Sequence, residues 1–179
     1  MENEEKIETA IRKFWDDVTN FRERGVALHD IIGIDEKPLY SERFKRLVWR
    51  RKGTPAAHVK GQGKTRERHT IILPSRADGG KLPIIFIFRG KHQLHVATVA
   101  GYPCLILFTE SANSNTETIL HLLRRAIIPN LHLEGKEEIE TPHVVLFDAY
   151  GSHFTDKVSE LFENTHNLEE VMIPAPLTK

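Results

Sequence analysis

One cysteine, Cys104, among 179 residues excludes an internal disulfide and any zinc site built on several thiolates. Basic and acidic residues number 25 each, so neither sign of charge is in excess. Any hold on nucleic acid therefore has to come from local clustering rather than from a uniformly basic surface. No apolar run approaches the roughly 20 residues of a membrane span. The acidic opening, Met1 to Glu8, is unlike a signal peptide. Internal repeats and low-complexity tracts are missing too. What is there, 40% hydrophobic and 28% charged, is the composition of a folded globular chain. Its length suits one domain with a real core and is too short for two ordinary ones.

Apolar periodicity divides the chain. Ile7, Ala10, Ile11, Phe14, Trp15, Val18 and Phe21 fall at spacings of three and four, which predicts an amphipathic helix over residues 3–24 with Gly25 as its stop. Residues 1–28 are thus set apart as an N-terminal helix from a core of 29–179. Ile31 to Tyr40 is a β-branched run carrying Asp35 and Glu36, which face opposite ways at period two. Strands are expected from Arg68 to about Ala77 and from Leu82 to about Phe88, joined by a hairpin at Asp78-Gly79-Gly80. Pro74 suggests a kink or an exposed edge in the first of them. Cys104 to Phe108 could form a strand, and the rest of 90–115 reads as loop. Ser114, with Glu117 three residues on, is a capping-box pattern ahead of a helix over 115–128 ended by Pro129. A short strand at Glu170–Ile173 comes last.

The stretch from His143 to His153 holds the strongest chemical suggestion. Val144 to Phe147 read as a strand buried on both faces. They deliver Asp148 into a turn with Gly151, and a helix starts near Thr155. Acids at the C-terminal end of a buried α/β strand stand where such sheets open a crevice for ligands. Asp148 could equally end the strand and begin a turn. The alternation of elements gives an antiparallel meander followed by helix-connected strands, a mixed sheet covered by helices. If the strands of Asp35 and Asp148 are neighbours, their axes lie ~4.8 Å apart. Two carboxylates so close repel unless one is protonated or a cation lies between them. Hard oxygen ligands suit Mg²⁺ or Mn²⁺.

These motifs resemble those of the DDE-superfamily endonucleases, specifically the catalytic core of mariner/pogo-type transposases, with centromere protein B and the jerky-like proteins as relatives. Gly33-Ile-Asp35-Glu36-Lys-Pro38-Leu-Tyr40 is similar to the family's first-acid strand. Lys52-Gly53-Thr54, Gly61-Gln-Gly63 and Glu67-Arg68-His-Thr70 resemble its basic loop. Ala77-Asp78-Gly79, Lys81-Leu82-Pro83 and Ile87-Phe88-Arg-Gly90-Lys91 resemble its hairpin. Leu146-Phe147-Asp148, with His153 five residues on, resembles its second-acid motif. The resemblance implies an α/β fold of ribonuclease-H-like type, a five-stranded mixed sheet flanked by helices. It implies Asp35 and Asp148 as the first two catalytic, metal-binding acids and Mg²⁺ or Mn²⁺ as cofactor. DNA would be the partner, with a homodimer allowed for, no membrane and no small-molecule substrate, and a nuclear location following from DNA. Ala149 stands where the family usually has Asn, and the third acid is expected several residues beyond Lys179. The core is therefore expected to be truncated before that acid, as a fragment or an inactive copy. The alternative is a domesticated module that binds DNA or protein without cutting.

Arg50, Arg51, Lys52, Lys60, Lys64 and Arg66, with Trp49 and glycines among them, suit phosphate-backbone contact as well as they suit a solvated face. His153 is a candidate for orienting phosphate or Asp148, or a plain turn histidine. Glu36 reads as a neighbour of the site rather than a ligand. Gly63-Lys64-Thr65 imitates the end of a P-loop, but position 58 is His where that motif needs Gly. His92 and His95, without cysteine or acid partners nearby in sequence, read as surface loop. No Gly-x-Ser-x-Gly occurs, so Ser152 with His153 does not suggest a hydrolase nucleophile.

Overall fold

Isoleucine-rich runs build the middle of the sheet in the computed structural model, which describes residues 2–40, 52, 68–131, 139–149, 151 and 153–177. Strand β1 (Ile31–Tyr40) pairs antiparallel with β2 (Arg68–Arg76), Asp35 opposite Leu73. β2 returns as β3 (Ile84–Arg89), Ile72 opposite Ile85. The reversal falls at the expected Asp-Gly-Gly. Gly79 takes φ +92°, a left-handed conformation that suits a residue without Cβ, and the Gly80 N–H donates to Asp78 Oδ1 at 2.8 Å. Pro74 lies opposite Ile34 of β1, beyond the stretch of β2 that pairs with β3. It thus has a strand on one side only, where a missing N–H costs least.

The other side of β1 is covered by β6 (His143–Asp148), parallel to it with Ile32 level with Val145. β7 (Leu168–Ile173) continues the sheet parallel to β6. These five strands have the expected directions, but the sheet has seven. β4 (Gln93–Val99) and β5 (Tyr102–Thr109) form a hairpin that joins β3 through β5, in the order β4-β5-β3-β2-β1-β6-β7. The expectation of loop through most of 90–103 is corrected here. The hairpin turn is Ala100-Gly101, both left-handed at φ +51° and +84°. Such turns are signalled by Asn-Gly or Asp-Gly, and Ala100 gives no such sign. β4 is also an edge strand, mostly exposed, with no buried face to mark it.

Helices cover both faces. Ile32, Ile34, Ile72, Ile85, Ile87, Val145 and Phe147 pack with residues of α2 (Thr116–Leu122) and α3 (Asp156–Glu163), among them Ile119, Leu122, Val158 and Phe162. Each such large side chain, fully buried, contributes about 1.5–3 kcal/mol. On the opposite face Phe21 and Phe14 of α1 (Glu2–Glu23) meet Val144, Leu146 and Val171. α1 stops where expected: Gly25 at φ +74° and the Val26 N–H bonded to Phe21 O form a Schellman motif. The apolar stripe of α1 packs only near its C-terminal end, and Trp15 stays 55% exposed.

Helix α2 departs from expectation at both ends. Its cap is Asn115, whose Oδ1 accepts from the Thr118 N–H at 2.9 Å, one residue later than the capping box at Ser114 suggests. After Leu122 the backbone widens into a π turn over Leu123–Ile127, then tightens into a 3-10 turn over Ile128–Asn130. Pro129 lies in that last turn. Its ring and missing N–H prevent a regular helix from running through it.

Candidate functional site

β1 and β6 run parallel, and both candidate aspartates lie just past the paired stretch. Gly33 is level with Leu146 at the last paired position. Continued two residues, the same offset sets Asp35 beside Asp148, on strands whose axes lie ~4.8 Å apart where they pair. Both acids stand at the C-terminal ends of the parallel segment. Strand alternation gives Asp35 the face of Ile31 and Gly33, and Asp148 that of Val144 and Leu146. That face is open beside them, since a Cβ built on Gly33 would meet nothing within 4 Å. Asp35 is exposed, and the Asp148 side chain is 45% exposed.

His153 closes the back of the site. The turn after β6 returns its ring to the strand end, where it is 1% exposed and lies 4.9 Å from the Phe147 ring centre. Nδ1 is 2.9 Å from Asp148 Oδ1 and 3.3 Å from the Asp148 carbonyl oxygen. Nε2 is 3.1 Å from Glu36 Oε1. Both ring nitrogens thus face acceptors, which an imidazolium satisfies by donating twice. Burial works to lower the His153 pKa, but the hydrogen bond to Glu36, the bond to the Asp148 backbone and the two carboxylate charges outweigh it and raise it. The ring thus lies between Asp148 and Glu36, in contact with both. Glu36, on the other face of β1 from Asp35, is the neighbour that fixes His153 in turn.

The basic candidates are more scattered. Lys52 is exposed, whereas Arg50, Arg51, Lys60, Lys64 and Arg66 lie outside the described residues, as does Gly63 of the P-loop imitation. Glu169 and Glu170 do not join the aspartates. Glu169 pairs with Arg24 of α1 at 2.5 Å, and Glu170, level with Val145, accepts from Ser159 at 2.8 Å. His92 and His95 stay apart as ligands, since His95 Nε2 lies near Gln93 Oε1 at 3.4 Å and its ring meets Phe108 edge-on.

Sequence reasoning missed a buried pair at the other end of β6. Asp30 and His143 are each 4% exposed, and His143 Nε2 is 2.9 Å from Asp30 Oδ1. The His143 Nδ1–H donates to Thr141 O at 2.8 Å. Burial is the largest influence on His143 and leaves its pKa lowered, although Thr141 and Asp30 act to raise it. No local pattern announces the pair, because its members are brought together only by the pairing of β1 with β6.

No family model matches the chain, and no curated protein matches it. Among solved structures, it is similar to the transposase in a pre-cleavage Mos1 transpososome, with a TM-score of 0.50 and 15% identity over 96% of this chain and 44% of that one. The Mos1 strand transfer complex gives a TM-score of 0.50 and 18% identity, covering 93% of this chain and 41% of that one. What is shared is the α/β, ribonuclease-H-like fold of those transposase domains. The chain spans less than half the length of the transposases it matches.

Proposed function

We propose that this domain is the catalytic core of a DDE-type transposase or endonuclease that acts on DNA, with Asp35 and Asp148 holding divalent cations. One observation supports the reading: β1 and β6 run parallel with Gly33 level with Leu146, an offset that, continued two residues, would put Asp35 beside Asp148 on an open face of the sheet. The donor set fits a hard cation, being carboxylate oxygens within reach of water, as Mg²⁺ or Mn²⁺ prefers. Two such ions, when bound, clamp the attacking and leaving oxygens of a phosphodiester. The chain's own residues do the positioning. His153 holds one oxygen of Asp148, and Glu36 ties His153 to β1, so the second acid is tethered to the strand of the first. The Phe147 ring keeps water from the back of that tether.

Arg50, Arg51, Lys52, Lys60, Lys64 and Arg66 would follow the DNA backbone, giving binding that is indifferent to sequence and weakened by salt. The resemblance implies a third acid in the family's core, and full cleavage and strand transfer would draw on it. Action on DNA would place the protein in the nucleus, as a monomer or homodimer. The decisive measurement is calorimetric titration of the chain with Mn²⁺, paired with a plasmid-nicking assay. Binding should be lost in Asp35→Asn and in Asp148→Asn, and any nicking should vanish with Asp148→Ala. Unchanged Mn²⁺ affinity in the double Asp35→Asn/Asp148→Asn variant would end the proposal.

A second reading, a module that binds DNA or protein and cuts nothing, is favoured by Ala149, which stands where the resembled family usually has Asn. It calls for salt-sensitive DNA binding that persists in EDTA without cleavage.

A further inference from the structure

We propose that His92, Glu117 and His121 form a separate binding site for a zinc-class divalent cation, which clips the turn after β3 onto helix α2. Each of the three offers one ligand atom, and these atoms all lie within 4.8 Å of one another. Glu117 and His121 are four residues apart on α2, a spacing that stacks side chains on one helix face. His92 reaches them from the turn between β3 and β4. Its Nε2 lies 3.7 Å from Glu117 Oε1, and its ring centre is 5.9 Å from that of His121.

Ligand chemistry separates this cluster from the aspartates. Two imidazoles and one carboxylate suit zinc and its first-row neighbours, while oxygen-only sets suit Mg²⁺ and Mn²⁺. Three protein ligands with a fourth, open position taken by water is a recurring zinc arrangement. In a tetrahedral site, ligand atoms stand ~3.3 Å apart given metal–ligand bonds of about 2.0–2.1 Å. The cluster therefore closes on a cation by small rotations of side chains, two of which are exposed. Arg124 and Arg125 on the following turn act against the cation through their charge.

Register also keeps the two sites apart. Asp35 is opposite Leu73, next to Ile72, which pairs with Ile85, so Asp35 is level with the start of β3. His92 lies beyond the other end of β3 at Arg89. Five strand residues intervene, about 17 Å. The site is thus independent of the function proposed above and can fail or hold without it.

The test is calorimetric titration of the metal-free chain with ZnCl₂ and, separately, MgCl₂. It uses the wild type, His92→Ala, His121→Gln and the Asp35→Asn/Asp148→Asn double variant, with circular dichroism confirming that each is folded. The expected result is zinc uptake at this site that weakens about tenfold or more in either histidine variant. Uptake should persist in the aspartate double variant and should not be displaced by Mg²⁺. Co²⁺ in place of zinc should give a visible absorption band that both histidine variants lose. The proposal is overturned if the wild type takes up no zinc, or if folded histidine variants bind it as tightly as the wild type. Loss of zinc binding in the aspartate variant alone overturns it too.

Discussion

Strand β6 begins at His143 and is followed, five residues past its end, by His153, and both rings are buried against carboxylates. At the first end one acid, Asp30, is itself enclosed, and burial leaves the His143 pKa lowered. At the other end two acids flank the ring, Asp148 is 45% exposed, and the His153 pKa is raised. The chemistry of the side chains is nearly the same. What differs is access to water and the number of acids, and that difference leaves one pair shut within the sheet while the other keeps an acid in solvent.

Exchanging the perturbation between the two ends breaks the comparison most sharply. Asp148→Ala, at the open end, should lower any metal-dependent nicking under the proposed function by about a thousandfold or more. It should change the urea midpoint little, because Asp148 is half in solvent. Asp30→Ala, at the closed end, should do the reverse. It leaves His143, neutral by its lowered pKa, buried without its hydrogen-bond partner, and a buried polar group left unsatisfied costs about 1–3 kcal/mol. Urea unfolding followed by circular dichroism reads this directly, while Mn²⁺ affinity of the folded fraction should be unchanged. Replacing both members by apolar residues, Asp30→Leu with His143→Phe, should restore much of the loss, since the unsatisfied polar group goes with them. If Asp30→Ala is as harmless to stability as Asp148→Ala, the distinction between the ends is wrong.

The same two ends show what the sequence could tell. Asp35 and Asp148 were legible because each ends or interrupts an apolar run, and period-two alternation fixes the face of each. Their meeting was only conditional, since neighbouring strands cannot be read from a single chain. The Asp30–His143 pair had no such marks. Asp30 lies in a one-turn 3-10 segment, Leu28–Asp30, and its partner is far along the chain. Glu36 was legible as a neighbour of the site, but not as the anchor of His153. The β4–β5 hairpin escaped because an exposed edge strand leaves no burial pattern and Ala100 is an unusual residue for its turn. Trp15 erred in the opposite direction: the period of α1 is helical, yet periodicity does not say how much of the stripe finds something to pack against.

The smallest expected effect sharpens the comparison through pH. His153 binds its proton more tightly in the folded, metal-free chain than in the unfolded one, whose histidine titrates near the ordinary value of about 6.5. Below that value both states are protonated, and the contribution of the cluster to stability is fully present. As pH rises, the unfolded chain gives up its proton first, and the contribution is lost as pH passes through the raised folded value. Stability measured in EDTA should therefore decline from about pH 6.5 upward, and His153→Gln should flatten that decline while keeping a donor toward Asp148 or Glu36. His143, with its lowered pKa, has the opposite sign: its contribution is present above about pH 6.5 and is lost on acidification through the folded value. Parallel curves for wild type and His153→Gln above pH 6.5 would mean that the two carboxylates do not hold the proton, and that the tether between β6 and β1 is neutral.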